Sequence, residues 1–167
     1  MRRPLTLFMP PGERAKVDGV RRRLDPRQCA SIPAHVTLCR EAELVPWHAI
    51  SKRLDELHPF RISMRFGEPE VLSDGCVLLR PTHGIEFYDQ LRQSVLGPHA
   101  PPHGAHITLL HPRNAAGVEY DLASIGLLLA GLTATFSSVS LIEQRDDGAW
   151  VVQQEYGLPS STPKGAQ

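Results

Sequence analysis

Residues 34–38 read Ala34-His35-Val36-Thr37-Leu38 and residues 105–109 read Ala105-His106-Ile107-Thr108-Leu109, one short stretch written twice. Each run is apolar and rich in β-branched residues, so each reads as a strand. Side chains at i and i+2 share a face of a strand. His35 and Thr37 therefore point one way, as do His106 and Thr108, while Val36, Leu38, Ile107 and Leu109 turn to the other side. Each copy sets an imidazole, which titrates near neutral pH, about 7 Å from a hydroxyl able to donate a hydrogen bond. A lone His-x-Thr is ordinary strand sequence; recurrence in a recurring context is what gives it weight.

The context does recur. Leu5-Thr6-Leu7-Phe8-Met9 reads as a first strand, Glu13 to Leu24 as a helix, and the first histidine strand follows Ile32-Pro33. Pro46 to Leu57 carries Trp47, Ile50, Leu54 and Leu57 at helical spacing. Ile62, Met64 and Phe66 alternate as a strand, continued by Glu70 to Leu72 after a bulge near Gly67, and Ser73-Asp74-Gly75 signals a hairpin. Cys76 to Leu79 is the returning strand. Ile85 to Leu96 is then a helix, and a Pro/His/Gly-rich loop leads to the second histidine strand. Asp121 caps a helix over Leu122–Leu132, Thr135 to Ile142 is one strand, Asp147-Gly148 a turn, and Trp150 to Tyr156 the last strand. Leu5 precedes His35 by 35 − 5 = 30 residues and Cys76 precedes His106 by 106 − 76 = 30. The glycine of the next Asp-Gly lies 75 − 35 = 40 and 148 − 106 = 42 residues on.

Two halves, about 5–75 and 76–156, thus share one order of elements, and neither is long enough to fold comfortably alone. The expectation is a single bilobal domain over residues 1–158, with 159–167 a disordered tail. The fold class expected is α+β: two pseudo-symmetric lobes of mainly antiparallel sheet with outer helices. A pseudo-two-fold axis would set the His-x-Thr faces opposite each other across a central cleft.

The 167 residues are ordinary for a soluble globular chain: 41% hydrophobic, with 18 basic against 18 acidic residues. The missing basic excess argues against gripping long nucleic acid, though not against a small anion or one end of a polymer. Cys29, Cys39 and Cys76 are odd in number and lack C-x-x-C spacing, which argues against a disulfide framework or zinc-cysteine site. The N-terminal stretch before Pro10 is too short for a secretory signal, and no apolar run is long enough to span a membrane, so a cytoplasmic location is expected. The sequence does not fix the oligomeric state, and a monomer is the default expectation.

Two facing histidines can serve as general base and general acid in one displacement, and a hydroxyl beside each can hold the oxygens of a tetrahedral anion. That suits phosphodiester chemistry without a metal. The paired motifs, set in a repeat running from Leu5 to Tyr156, resemble the two-histidine (2H) phosphoesterase superfamily. The likeness is greatest to its bacterial 2′-5′ RNA ligase and RNA 2′,3′-cyclic phosphodiesterase branch. The resemblance implies His35 and His106 as the catalytic pair and Thr37 and Thr108 as phosphate-holding hydroxyls. It also implies opening of 2′,3′-cyclic phosphates without metal, ATP or other cofactor, with reversible 2′-5′ joining in some members. The partners implied are RNA ends or small cyclic or 2′-5′ nucleotides.

Arg40 is a candidate substrate contact only if its strand ends or bends before it, since strict alternation turns it away from His35; the equivalent position in the second half is His111, which departs from that pattern, and Arg113, just beyond Pro112, is the second candidate. Arg21-Arg22-Arg23 fits solvated charge near a helix C-terminus better than a phosphate patch. Phe8, Tyr88 and Tyr156 read as core aromatics sooner than base-stacking ones. His99, His103, His106 and His111 would suit zinc only on a helix, which Pro98, Pro101, Pro102 and Gly104 oppose. The alternative reading is a non-catalytic RNA-end or nucleotide-binding module using the same cleft.

Overall fold

A computed structural model describes residues 2–57, 61–146 and 148–158. His58, Asp147 of the Asp-Gly turn and the tail from Pro159 lie outside the described residues. The first half runs β1 (Leu5–Phe8), α1 (Pro11–Leu24), α2 (Pro26–Ser31), β2 (His35–Cys39), a 3-10 turn (Glu41–Glu43), α3 (Trp47–Asp55) and β3 (Ile62–Val71). The second runs β4 (Val77–His83), α4 (Ile85–Leu96), β5 (Ile107–Leu110), a 3-10 turn (Pro112–Asn114), α5 (Leu122–Leu128) and β6 (Thr133–Phe136). The repeated order is there, down to a 3-10 turn after each histidine strand. β7 (Ser138–Glu143) and β8 (Val151–Gly157) follow.

The architecture is α+β, with two four-stranded antiparallel sheets ordered β2-β1-β7-β8 and β5-β4-β3-β6. Each sheet draws strands from both sequence halves. The single strand expected over Thr135–Ile142 is two strands, because the chain changes sheets at Ser137: β6 pairs with β3, β7 with β1. A strand that turns a corner between packed sheets must break its ladder. The helix expected to reach Leu132 stops at Leu128, and Gly131 at φ +69° takes the left-handed turn into β6. Asp121 does cap that helix, accepting from the Ala123 N–H at 3.1 Å. α2 is an addition to the expected elements. Pro26 ends α1 and also begins a new helix, where its missing N–H costs nothing, and Asp25 caps it through the Gln28 N–H at 3.0 Å.

The core follows the apolar stripes. Val17, Val20 and Leu24 of α1, Ile50 and Leu54 of α3, and Leu91 and Val95 of α4 are all buried in one cluster with strand residues such as Leu5, Ile62 and Leu79. Each first helix also packs against the other half's histidine strand, α1 on β5 and α4 on β2. No helix among the described residues is long and apolar enough to cross a membrane.

Candidate active site

β2 and β5 are both edge strands, one in each sheet, and they approach each other where the sheets meet. Alternation is as read from the sequence. Val36, Leu38, Ile107 and Leu109 are at most 1% exposed, while His35, Thr37, His106 and Thr108 stay half-buried on the opposite face. His35 pairs across the ladder with Phe8, whose ring meets the imidazole edge-on at 6.2 Å between centroids.

The two histidines are held alike. His35 Nδ1 lies 2.8 Å from the Pro33 carbonyl, and His106 Nδ1 lies 2.8 Å from the Gly104 carbonyl. A carbonyl only accepts, so in each ring Nδ1 carries the hydrogen and Nε2 is left as the working nitrogen. Burial pushes the His35 pKa down to about 4; the positive fields of Arg21 and His106 act the same way, against the Pro33 hydrogen bond and Asp18. His35 is therefore a neutral imidazole at neutral pH.

Behind each motif stands a buried arginine that the sequence reading did not find. Arg21 and Arg92 occupy equivalent positions, 35 − 21 = 14 and 106 − 92 = 14 residues before their histidines, and are 1% and 2% exposed. Arg21 thus departs from the expectation of three solvated arginines. Arg22 and Arg23 are exposed, but Arg21 turns inward to Asp18 (2.6 Å) and the Ile32 carbonyl (2.9 Å). Asp18 in turn accepts the Ala34 N–H at 3.0 Å, so this pair fixes the lead-in to His35. Arg92 donates to the Pro101 carbonyl (2.8 Å) on the loop leading to His106, and to the Leu38 carbonyl at the end of β2. It also pairs with Glu43 at 2.8 Å. Burial alone would raise the Glu43 carboxyl, but the hydrogen bonds from Arg92 and the Arg40 N–H (2.7 Å) hold it down to about 2. Tyr88 is core, as expected, and donates its hydroxyl to the Thr37 carbonyl at 2.7 Å. Asp25 ties the halves together, accepting the His111 N–H (2.9 Å) and the Asn114 amide (2.8 Å).

β2 ends at Cys39, which releases Arg40 from strand alternation, and Arg40 lines a cavity of about 250 Å³ together with His35 and Thr37. Arg113 is exposed and donates to Gln28 Oε1 at 2.7 Å across the halves. His103 sits 6.2 Å from His106 between ring centroids, its pKa lowered by burial and by the charges of Arg92 and Arg40. Among the described residues, no three or more His, Cys, Asp or Glu side chains gather closely enough to hold a metal ion.

No protein-family model and no curated protein sequence matches this chain. Solved structures do. Escherichia coli LigT complexed with 3′-AMP superposes with a TM-score of 0.61 at 16% identity, over 95% of this chain and 98% of LigT. A phosphoesterase structure gives a TM-score of 0.61 at 16% identity, over 95% and 99% of the two chains. A Thermus thermophilus protein gives 0.59 at 19%, over 97% and 100%. The chain has the fold of LigT.

The LigT fold explains why Arg21 and Arg92 escaped the sequence reading. Arginine in an exposed-looking helix reads as solvent-facing, and only the acceptors brought by distant segments make its burial tolerable. The equal spacing of each to its histidine was the one signal available.

Proposed function

We propose that residues 1–158 act as one bilobal, monomeric, cytoplasmic phosphoesterase that opens 2′,3′-cyclic phosphates of RNA ends or nucleotides without a metal, through His35 and His106. The matched Nδ1–carbonyl hydrogen bonds carry this reading, because they leave an Nε2 available on each ring of the cleft. The nucleotide binding of LigT, solved with 3′-AMP, phosphate, NADP+ and ATP, is consistent with it.

In the proposed step, neutral His35 takes a proton from water through Nε2 as the water oxygen bonds to phosphorus. His106, as the imidazolium, gives its Nε2 proton to the ribose oxygen as that P–O bond breaks. The product is a phosphomonoester, and solvent restores both rings. The Thr37 and Thr108 hydroxyls donate to the non-bridging oxygens, and Arg40 and Arg113 are further substrate contacts in this proposal. With the 5′-hydroxyl of a second RNA end in place of water, the same forward displacement would join the ends through a 2′-5′ bond, His35 taking the 5′-hydroxyl proton and the 3′ oxygen leaving as a hydroxyl protonated by His106; run backwards, it would cleave that bond.

Chelator-treated protein assayed against 2′,3′-cyclic nucleotides, cyclic-phosphate-ended RNA and 2′-5′ dimers tests the proposal directly. Turnover unaffected by EDTA is expected on the cyclic phosphates; nucleotide binding with no turnover would make the chain a binding module instead. Thr37→Ala and Thr108→Ala each remove one hydrogen bond to an anion, about 1.5–3 kcal/mol, so each should lower kcat/KM roughly 10- to 150-fold. The pH profile gives an independent check. A base depressed to about 4 stays unprotonated well below the ordinary imidazole range, so the acid limb of kcat/KM should fall off only as pH approaches about 4. An acid limb centred near the ordinary imidazole value of about 6.5 would contradict the assignment of His35 as base.

A further inference from the structure

The cavity beside His35 is one-sided. Thr6, Gln28, Arg40, Glu41 and Trp150 line it, and no described residue of β5 does, so it extends away from His106 along the His35 flank. Its walls are chemically particular. Trp150 offers an aromatic face already stacked by the Arg2 guanidinium at 5.1 Å. The Gln28 Oε1 is taken by Arg113, which leaves its Nε2 amide as a donor. The Glu41 carboxylate, on an exposed residue, makes no hydrogen bond or ion pair with any described residue. Thr6 lies across the ladder from Thr37 on the same face, wholly buried, and its hydroxyl has no partner among the described residues. Buried polar groups are seldom left unpaired, and such an orphan beside a cavity points to a ligand.

We propose that this cavity is a nucleobase subsite selective for guanine, a reading that rests on the phosphoesterase assignment of the adjoining cleft. The argument is complementarity. A carboxylate accepts best from two adjacent N–H donors, and guanine alone presents N1–H and N2–H side by side with the O6 acceptor next to them. Glu41 matches the donor pair, the Gln28 amide matches O6, and Trp150 supplies the stacking face. Adenine, cytosine and uracil each offer the carboxylate a single donor position on that edge.

The test uses the full chain with Trp47→Phe, so that Trp150 is the sole tryptophan, titrated with the four ribonucleoside 3′-monophosphates. Trp150 fluorescence should be quenched, with guanosine 3′-monophosphate at least about ten-fold tighter than the others. Glu41→Gln should abolish that preference and Thr6→Val should weaken binding with the fold intact; Trp150→Ala, which removes the fluorophore and is therefore followed by calorimetry, should weaken binding about ten-fold. Calorimetry on the unsubstituted chain guards against a defect from Trp47→Phe. Equal affinity for all four bases, or a preference unchanged by Glu41→Gln, would overturn the subsite. Turnover of guanosine 2′,3′-cyclic phosphate is followed in parallel. Selective binding without turnover keeps the subsite and removes the phosphoesterase reading; turnover without selectivity or quenching does the reverse.

Discussion

His35→Ala and His106→Ala are each expected to lower kcat for 2′,3′-cyclic phosphate hydrolysis by at least about 10²-fold, with KM changed far less. A positioned general acid or base contributes typically about 10²–10⁴-fold, and the loss falls on the chemical step because the proton moves only in the transition state. The double variant should be little slower than the worse single one, since base and acid act in one displacement and losing either already forfeits the concerted transfer. Each Nδ1 is tied to a backbone carbonyl, so His→Asn at either site keeps a donor for that carbonyl, since the Asn Nδ2 falls where Nδ1 was, without supplying a proton acceptor in place of Nε2. Such variants should bind and fold normally and remain slow. A wild type that turns over while either His→Ala variant keeps near-normal kcat and only raises KM would reduce that histidine to a binding group.

Arg92→Ala is expected to be the most destabilising substitution in the molecule outside the apolar core. It would strand Glu43, itself only 9% exposed, and leave the Leu38 and Pro101 carbonyls without their donor. Breaking a buried pair by removing one partner costs about 3–5 kcal/mol. For a chain of this size that corresponds to a fall in Tm of roughly 6–20 °C. Arg92→Lys should recover little, because one ammonium cannot span three acceptors that a planar guanidinium reaches at once. Removing the pair together, as Arg92→Met with Glu43→Leu, should be milder than Arg92→Ala alone, since no charge is then left buried. A calorimetric melt of Arg92→Ala within about 2 °C of wild type would contradict this account. Acid should act in the same direction. Glu43 is held down to about 2, so its contribution is complete above the ordinary carboxylate range and is lost as pH falls towards 2.

The motif strands were legible because strand alternation is local. Five residues suffice to say that His35 and Thr37 share a face, and the buried Val36 and Leu38 agree. The two-fold order of elements was legible because the same punctuation, a Pro-containing lead-in before each histidine and an Asp-Gly turn after it, occurs at matched distances. Local rules misjudged the places where one residue answers to two segments. Pro26 ends one helix and starts the next, and Ser137 separates two strands that a single alternating pattern had joined.

By itself, then, the sequence determined the repeat, the face of each histidine and the residues of both motifs, all of which are set by periodicities a few residues long. The tertiary structure alone decided that Arg21 and Arg92 lie buried behind those motifs. It alone decided that β7 crosses into the sheet of β1. It also decided that Thr6, Gln28, Glu41 and Trp150, spread over most of the chain, line one cavity. A buried guanidinium is tolerated only because of acceptors supplied from far along the sequence, and no local pattern encodes which distant segment arrives.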